Sequence, residues 1–376
     1  HGDNDWAIRS DDMQLDIEEG LGIARGAKLD VGGFPIFYWP WLQFPLDDRR
    51  RTGFLWPDIG SDTRGGLDVA LPVYINIAPN YDALYIPRYI EERGLNHEME
   101  LRHLNRYLGA WSLGGAYLDD DKRYKDEYPE DRNPDRWLLM VRHNALFNQR
   151  WRSLVDYNKA SDANYMKDLG TSSLNSKRKT SLLQLGSVDY LGEKWLVHFD
   201  VQQFQPLADD LTPANKQLPQ ITGQWRATGT PFKFDPIQLA QYSNFDIDSD
   251  LVTGERLYAV GGAAYPMLWN YGFFNSELKY RHVQYELDKS DIYTDNTPSS
   301  GTPVVKLDGG LFFDRQTSVA GEGLMQTLEP RLYYLYSEYE DQRDQPAFDS
   351  AELTFNYFQL FRDTRFSGHD RLDDAN

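Results

Sequence analysis

The sequence predicts an all-β fold, a transmembrane antiparallel β-barrel, and three observations lead to this prediction. Mean hydropathy is −0.64, and no apolar run approaches the ~20 residues that a membrane-spanning helix needs. Aromatic residues nevertheless make up 14% of the 376 residues. Apolar residues recur at every second position in many segments. Because a barrel strand faces lipid only at alternate positions and carries aromatic girdles, average hydropathy does not reveal it.

The net charge and the lack of cysteine limit which partners and sites the protein can have. The formal net charge of −19 disfavours a nucleic-acid partner. The chain has no cysteine, so it can form neither a disulfide nor a thiolate metal site. It begins at His1 without a charged and then apolar leader, which we interpret as a piece of a longer protein.

Composition shifts divide the chain into three parts. Residues 1–45 contain short alternating segments and the dense aromatic run "FPIFYWPW". Residues 46–62 are polar and rich in turn-forming residues, and they are predicted to be a connector. Residues 63–376 are dominated by the period-two pattern, with about a dozen strands of the ~10 residues typical of a barrel and no convincing helix.

Two late aromatic segments, "LEPRLYYLYSEY" and "AELTFNYFQLF", alternate more loosely than the earlier strands. In the earlier segment "EMELRHLNRYL" the polar residues share one face, which we predict to be a wetted wall. These residues are Glu98, Glu100, Arg102 and Arg106.

Two prolines interrupt a predicted hairpin in "LPVYINIAPNYDALYIPRY". A turn centred on Pro79–Asn80 would place Pro72 and Pro87 opposite each other. Each removes an N–H donor from its strand, worth about 1 kcal/mol net and more where water is absent. They could weaken the ladder for a purpose, or they could only mark bulges or strand starts.

Several motifs suggest chemistry that their context does not support. "HEMELRH" lacks the second histidine of a zinc protease, and "GLGIARG" has arginine where a dinucleotide loop needs its last glycine. "DDRRR" could supply an acid pair for glycoside hydrolysis, but a charged collar is the simpler interpretation. The aromatic residues Tyr38, Trp39 and Trp41 could stack sugars, although a membrane interface suits their position between two β domains better.

Two long motifs resemble the LptD family of lipopolysaccharide-assembly proteins. They are "GFPIFYWPWLQFPLDDRRRTGFLWPDIG" and "LPVYINIAPNYDALYIPRYIEERGL", and the late segment "FNYFQLFRDTRFSGHDRLDDAN" is also similar. The resemblance implies that residues 1–45 are the last strands of a periplasmic, lipid-receiving β-jellyroll. It implies that residues 63–376 are the N-terminal part of a large outer-membrane barrel.

The same resemblance assigns roles to residues. Pro72 and Pro87 would belong to the first two barrel strands and form a lateral gate. The apolar residues before the connector would line the lipid groove: Leu29, Val31, Phe34, Ile36 and Phe37.

The expected partners follow from the family as well. They are lipopolysaccharide, the plug lipoprotein LptE inside the barrel, a periplasmic LptA-type jellyroll bridge, and outer-membrane lipids. No catalytic activity, metal or cofactor is expected, and any driving force must come from partners because the chain has no phosphate-cradling loop.

Two other functions remain possible at this point. A general diffusion porin would lack the N-terminal β domain and the paired prolines. A soluble β-rich carbohydrate-active protein would partition into buffer without detergent, which a barrel would not.

Overall fold

The computed structural model describes residues 6–31, 34–47, 49–63, 65–129, 133–172, 180–207, 215–227, 233–247, 251–288, 293, 295–319 and 322–372. The chain divides into two compact units. Unit 1 holds residues 1–141 and 160–179, and unit 2 holds residues 142–159 and 180–376.

Nearly all regular structure in the described residues is β-strand. The strands are β1 (Trp6–Arg9), β2 (Asp12–Asp16), β3 (Leu21–Val31), β4 (Phe34–Pro45), β5 (Gly53–Phe54), β6 (Asp58–Asp62), β7 (Gly66–Ala70), β8 (Val73–Ala78), β9 (Tyr81–Ile90), β10 (Gly94–Asn105), β11 (Gly109–Leu118), β12 (Arg136–Phe147), β13 (Trp151–Ala160), β14 (Ser181–Leu191), β15 (Trp195–Pro206), β16 (Lys216–Trp225), β17 (Asp235–Asp246), β18 (Thr253–Trp269), β19 (Gly272–Asp288), β20 (Ser299–Leu311), β21 (Phe313–Val319), β22 (Glu322–Leu328) and β23 (Arg331–Ser337). The helices are α1 (Lys122–Glu127), α2 (Tyr165–Asp168) and a 3₁₀ turn, Tyr357–Phe361.

A small antiparallel sheet opens unit 1. β3 is its central strand, β1 and β2 lie end to end along one edge of β3, and β4 pairs with the other edge. β4 ends at Pro45, the last residue of the predicted N-terminal part.

A second antiparallel sheet of unit 1 contains the hairpin with the two prolines. β7 and β8 lie end to end along β9, which pairs with β10, and β10 pairs with β11. On the far side of β7 and β8 lie β6 and β5. The segment predicted as a connector is therefore partly strand.

Unit 2 is an antiparallel meander. From β13 to β20 each strand pairs with the next along the chain, and β20 then pairs with β23. β21 and β22 form a separate hairpin between them. Long antiparallel neighbours in chain order are typical of an outer-membrane barrel wall, and the predicted fold class is confirmed.

The middle of β19 in unit 2 buries polar residues and exposes apolar ones. On β19, Leu278 and Tyr280 are 62% and 52% exposed, whereas Lys279 and Arg281 are 9% and 6% exposed. A water-soluble sheet would show the opposite arrangement, because apolar area is stabilised by removal from water. The exposed apolar face is the pattern of strands whose outer surface contacts lipid.

Three short helical segments depart from the sequence prediction. α1 and α2 lie between strands, and "AELTFNYFQLF" ends in a 3₁₀ turn where loose alternation suggested a strand. Asp121 caps α1 by accepting the Tyr124 N–H at 3.0 Å, and Asn356 caps the 3₁₀ turn by accepting the Phe358 N–H at 2.9 Å. Such side-chain caps compete locally with strand pairing. Within the described residues, no helix combines the length and apolarity needed to cross a bilayer.

The long β18–β19 hairpin offers a test of its close packing. Gly254 has φ +154°, and a Cβ there would lie 2.3 Å from the Glu286 carbonyl oxygen. We expect Gly254→Ala to cost about 1–3 kcal/mol of unfolding free energy. Gly261→Ala on the same strand has no atom within 4 Å of the added Cβ and should leave stability nearly unchanged. Urea unfolding midpoints of the refolded full-length protein measure both, and equal midpoints would contradict the expectation.

Candidate functional site

The two prolines of the hairpin each leave a backbone pair with half of its hydrogen bonds. Leu55 N–H donates to the Pro72 carbonyl at 2.8 Å, and Leu71 N–H donates to the Pro87 carbonyl at 3.1 Å. Hydrogen-bonded pairs of an antiparallel ladder normally exchange two bonds. The reciprocal bonds cannot form because proline has no N–H. Leu71 therefore lacks one of its two bonds to Pro87 of β9, and Pro72 lacks one of its two bonds to Leu55 on the other side.

The prolines do not face each other, which corrects the sequence prediction. Ala78 lies opposite Tyr81, as the predicted turn requires, but the register shifts between Asn76 and Ala78. This bulge places one extra residue in β8, so Pro72 is one position out of step with Pro87. A period-two pattern cannot reveal a one-residue bulge of this kind.

A third proline lies at the same level, and sequence reasoning missed it. Pro57 separates β5 from β6, between the pairs Phe54 with Val73 and Asp58 with Ala70. We call residues 55–57, 71–72 and 86–87 the proline seam. The motif "FLWPDIG" contained the signal, but only the strand register shows that Pro57 adjoins the other two.

The predicted lipid-lining and interface residues lie on β3 and β4. Leu29 lies opposite Phe37, Ala27 opposite Trp39, and Arg25 opposite Trp41. Because alternate residues of a strand share a face, Leu29, Phe37, Trp39 and Trp41 lie on one face. The Phe37 and Trp39 ring centroids are 4.3 Å apart on this aromatic face.

Other predicted residues of this group are placed differently. Tyr38 lies opposite Lys28, on the reverse face. Phe34 begins β4 and is 76% exposed. The side chains of Val31 and Ile36 lie outside the described residues.

A buried ion cluster ties two loops of unit 1 to the start of β12. Arg136 is fully buried, and its guanidinium donates to Asp162 at 2.7 and 3.0 Å, to Asp168 at 3.0 Å and to Asp121 at 3.1 Å. Arg93 also donates to Asp121, at 2.9 Å. We call residues 119–129 and 161–172 the ion-paired loops. Removing one partner from a buried network of this kind typically costs 3–5 kcal/mol.

Glu98 is not part of a wetted wall, contrary to the sequence prediction. It is fully buried, and its carboxylate accepts the Ser172 N–H at 3.1 Å. The alternation along β10 identified its face, but a loop folded against that face excludes water, and no local pattern in the sequence indicates such a loop.

Unit 2 contains a comparable arginine. Arg256 on β18 is fully buried and donates to Asp349 at 2.7 and 2.8 Å and to Asp370 at 2.7 Å. Asp370 also accepts the Tyr285 hydroxyl at 3.0 Å. The segment 338–372 is thereby held against the buried face of β18 and β19, where Leu372 also packs in an apolar cluster with Val283 and Tyr285.

The histidines that suggested metal binding are engaged otherwise. His97 Nδ1 lies 2.7 Å from the Tyr85 hydroxyl, and the His103 ring stacks on Tyr81 with centroids 3.9 Å apart. No group of three or more His, Asp or Glu that could hold a metal ion occurs in the part of the chain that the structure describes.

A family model and the curated relatives both point to one family. The family model LptD, described as LPS transport system D, matches residues 134–376. The chain is 36% identical to LPS-assembly protein LptD of Pseudomonas savastanoi and 35% identical to that of Pseudomonas aeruginosa, in each case over 99% of this chain and 44% of the relative. Identity to LPS-assembly protein LptD of Marinobacter nauticus is 39%, over 100% of this chain and 48% of the relative.

The chain thus spans about half the length of these relatives. Among solved structures, it matches OmpT, an outer membrane protein of Vibrio cholerae, at 12% identity over 76% of this chain and 85% of that one, with a TM-score of 0.32.

His369 gives the 338–372 segment a predicted pH response. Burial, reinforced by nearby Arg256, lowers the pKa of His369 from 6.5 to about 4, and its ring stacks on Tyr258 at 4.1 Å. The folded state therefore favours the neutral ring. Its stabilising contribution is complete above pH 6.5 and is lost as pH falls towards 4. We expect protease cleavage within 338–372 to increase over this window.

His369→Phe keeps a ring against Tyr258 and removes the titrating group. It should abolish the rise in cleavage, whereas His282→Phe on β19 should not. A wild-type cleavage rate that stays constant from pH 7 to 4.5 would contradict the expectation.

Proposed function

The chain belongs to the LptD family, and on this premise we propose that it is part of an outer-membrane translocon that inserts lipopolysaccharide into the outer leaflet. The observation that carries the proposal is the proline seam, where successive residues each lack a ladder bond. Hydrocarbon tolerates few unpaired backbone groups, so a ladder that lacks bonds destabilises a membrane wall. A functional role in lipid exit accounts for such a costly feature.

The seam acts as one side of a lateral gate. Two missing bonds lower the cost of bending β7 and β8 away from their neighbours by roughly 2 kcal/mol. The remaining bonds at Leu55 and Leu71 keep the strands in register when the gate closes. Lipid can then leave sideways into the membrane while the other strands of the wall stay paired.

The aromatic face of β3 and β4 supplies the route for acyl chains. Phe37, Trp39 and Trp41 form an apolar strip beside Leu29, and apolar area of this kind favours hydrocarbon over water. The sugar part of the lipid follows polar strand faces such as that of β19. No covalent chemistry is needed, and the driving force comes from partners.

The partners and location complete the proposal. The small N-terminal sheet lies in the periplasm, where a LptA-type jellyroll bridge delivers lipopolysaccharide to it. The longer strands lie in the outer membrane, and the lipoprotein LptE plugs the barrel from inside. The exposed apolar and buried polar residues of β19 suit a wall with lipid outside and a polar interior.

Photocrosslinking tests the acyl-chain route. A photoreactive residue at Phe37 in the full-length protein should crosslink to lipopolysaccharide in cells, because Phe37 lies on the aromatic face. The same residue at Lys28, on the reverse face of the same hairpin, is the matched control and should give little crosslinking. Equal crosslinking at both positions would contradict the groove.

Restoring the missing donors tests the gate. In the double variant Pro72→Ala with Pro87→Ala, both half-bonded pairs can form their second bond, which should reduce the open fraction about thirtyfold. Surface lipopolysaccharide should fall while the amount of assembled protein stays constant. Pro266→Ala in β18 is the matched control and should not affect export. Undiminished export in the double variant would rule out the gate.

A further inference from the structure

Arg88 follows Pro87 directly and lies opposite Ala70, the last residue of β7. We propose that Arg88 is a positioning residue of the gate. Its side chain holds β7 against β9 beside the missing backbone bonds. This clamp has its full strength only while the 161–172 loop stays in contact with Arg88. The inference rests on the proposed function, since without a gate Arg88 would be only a structural clamp.

The first part of the inference follows from the contact between strands. Arg88 Nε donates to both Asp68 oxygens, at 2.9 and 3.1 Å, and Nη2 donates to Asp68 Oδ2 at 2.6 Å. Asp68 lies on β7, two residues before Ala70, so the pair crosses the ladder diagonally next to the seam. Bidentate, charge-assisted bonds are about twice as strong as neutral ones. The side chain thus compensates for the backbone bond that Pro87 removes between β9 and Leu71.

The second part follows from the contact with the loop. Arg88 Nη1 donates to the Leu169 carbonyl at 2.8 Å and lies 3.4 Å from Glu98 Oε1. Glu98 in turn accepts the Ser172 N–H at 3.1 Å. One guanidinium therefore contacts β7, β10 and the 161–172 loop together.

The loop presents the Leu169 carbonyl at a fixed place because the residues before it are anchored. Asp162 and Asp168 are bound to the buried Arg136, and the Tyr165 side chain between them is fully buried. The loop therefore cannot easily slide along Arg88 while this anchor holds. It either keeps the Leu169 contact or leaves as a unit.

Low exposure couples the two contacts. While the loop is seated, the Arg88 side chain is only 13% exposed, so its bonds to Asp68 are largely shielded from water. If the loop lifts, water reaches the guanidinium and weakens the charge-assisted bonds to Asp68, because ion pairs are weaker in a high-dielectric medium. Lifting the loop and loosening β7 from β9 are thus linked events.

Hydrogen exchange of the full-length protein, in the assembly purified from outer membranes and reconstituted in lipid nanodiscs, tests the inference. Arg88→Met should speed amide exchange about tenfold, equivalent to ~1.4 kcal/mol, in both segments 66–76 and 161–172. The matched control is Arg331→Met, which removes a bidentate pair with Asp308 (2.8 and 2.7 Å) between β23 and β20. It should leave both segments unchanged.

Two further variants protect the test against simple misfolding. Arg88→Lys keeps the charge but not the planar fork, so it should give an intermediate increase in both segments. Glu98→Gln keeps the size of the side chain and weakens the loop contact, so exchange in 161–172 should rise more than in 66–76.

The outcomes separate the clamp, the coupling and the gate. Unchanged exchange at 66–76 in both Arg88 variants would overturn the clamp, and faster exchange at 66–76 alone would overturn the coupling. Faster exchange at both segments, together with undiminished lipopolysaccharide export in the Pro72 and Pro87 double variant, would leave the clamp standing and overturn the gate.

Discussion

The backbone hydrogen-bond ladder between neighbouring antiparallel strands is the constraint on which the structure depends. A strand in hydrocarbon has no water to satisfy its N–H and C=O groups, so every neighbour must supply them. This requirement explains the meander from β13 to β20, in which each strand pairs with the next along the chain until β20 pairs with β23. It also makes the proline seam conspicuous, because bonds there are absent by covalent structure and cannot be recovered by small movements.

Buried arginines attach the segments outside the strands to the sheet, which the backbone ladder cannot do. Arg136 and Arg256 each extend from a strand and bind aspartates of segments that lie between or after strands. Arginine suits this task because its fork of donors can satisfy several carboxylates at once and stays charged when buried. Charge thereby fixes these segments to the strands, and apolar contacts of Leu372 and Phe348 add to it in unit 2.

Sequence reasoning recovered the strands and their faces because a period of two is a local property. The alternation in "EMELRHLNRYL" correctly places buried Glu98 on the face opposite to exposed Met99. It could not recover register, so the offset of the prolines and the place of Pro57 beside them were missed. Nor could it recover the burial of Glu98, because the partner Ser172 is distant in sequence and belongs to a loop.

The resemblance to known proteins identified the family but not the contacts around Arg88 or Arg136. Those contacts depend on where two loops return to the sheet, which no short motif encodes. The aspartates involved, Asp121, Asp162 and Asp168, stand in polar stretches that look like ordinary turns. Their contacts with the buried Arg136 and Arg93 distinguish them from solvated charges.

Because Arg136 binds both ion-paired loops, it limits how these loops can differ among relatives. Surface connections usually accept insertions and exchange freely, since little else depends on them. Here Asp121 from one connection and Asp162 from the other meet on a single guanidinium. If only one of the two loops were replaced by that of a relative, a buried charge would lose its partner. Chimeric proteins should therefore exchange both loops together. Epitope tags and natural length variation belong instead at the β21–β22 hairpin, whose described side chains are mostly solvent-exposed.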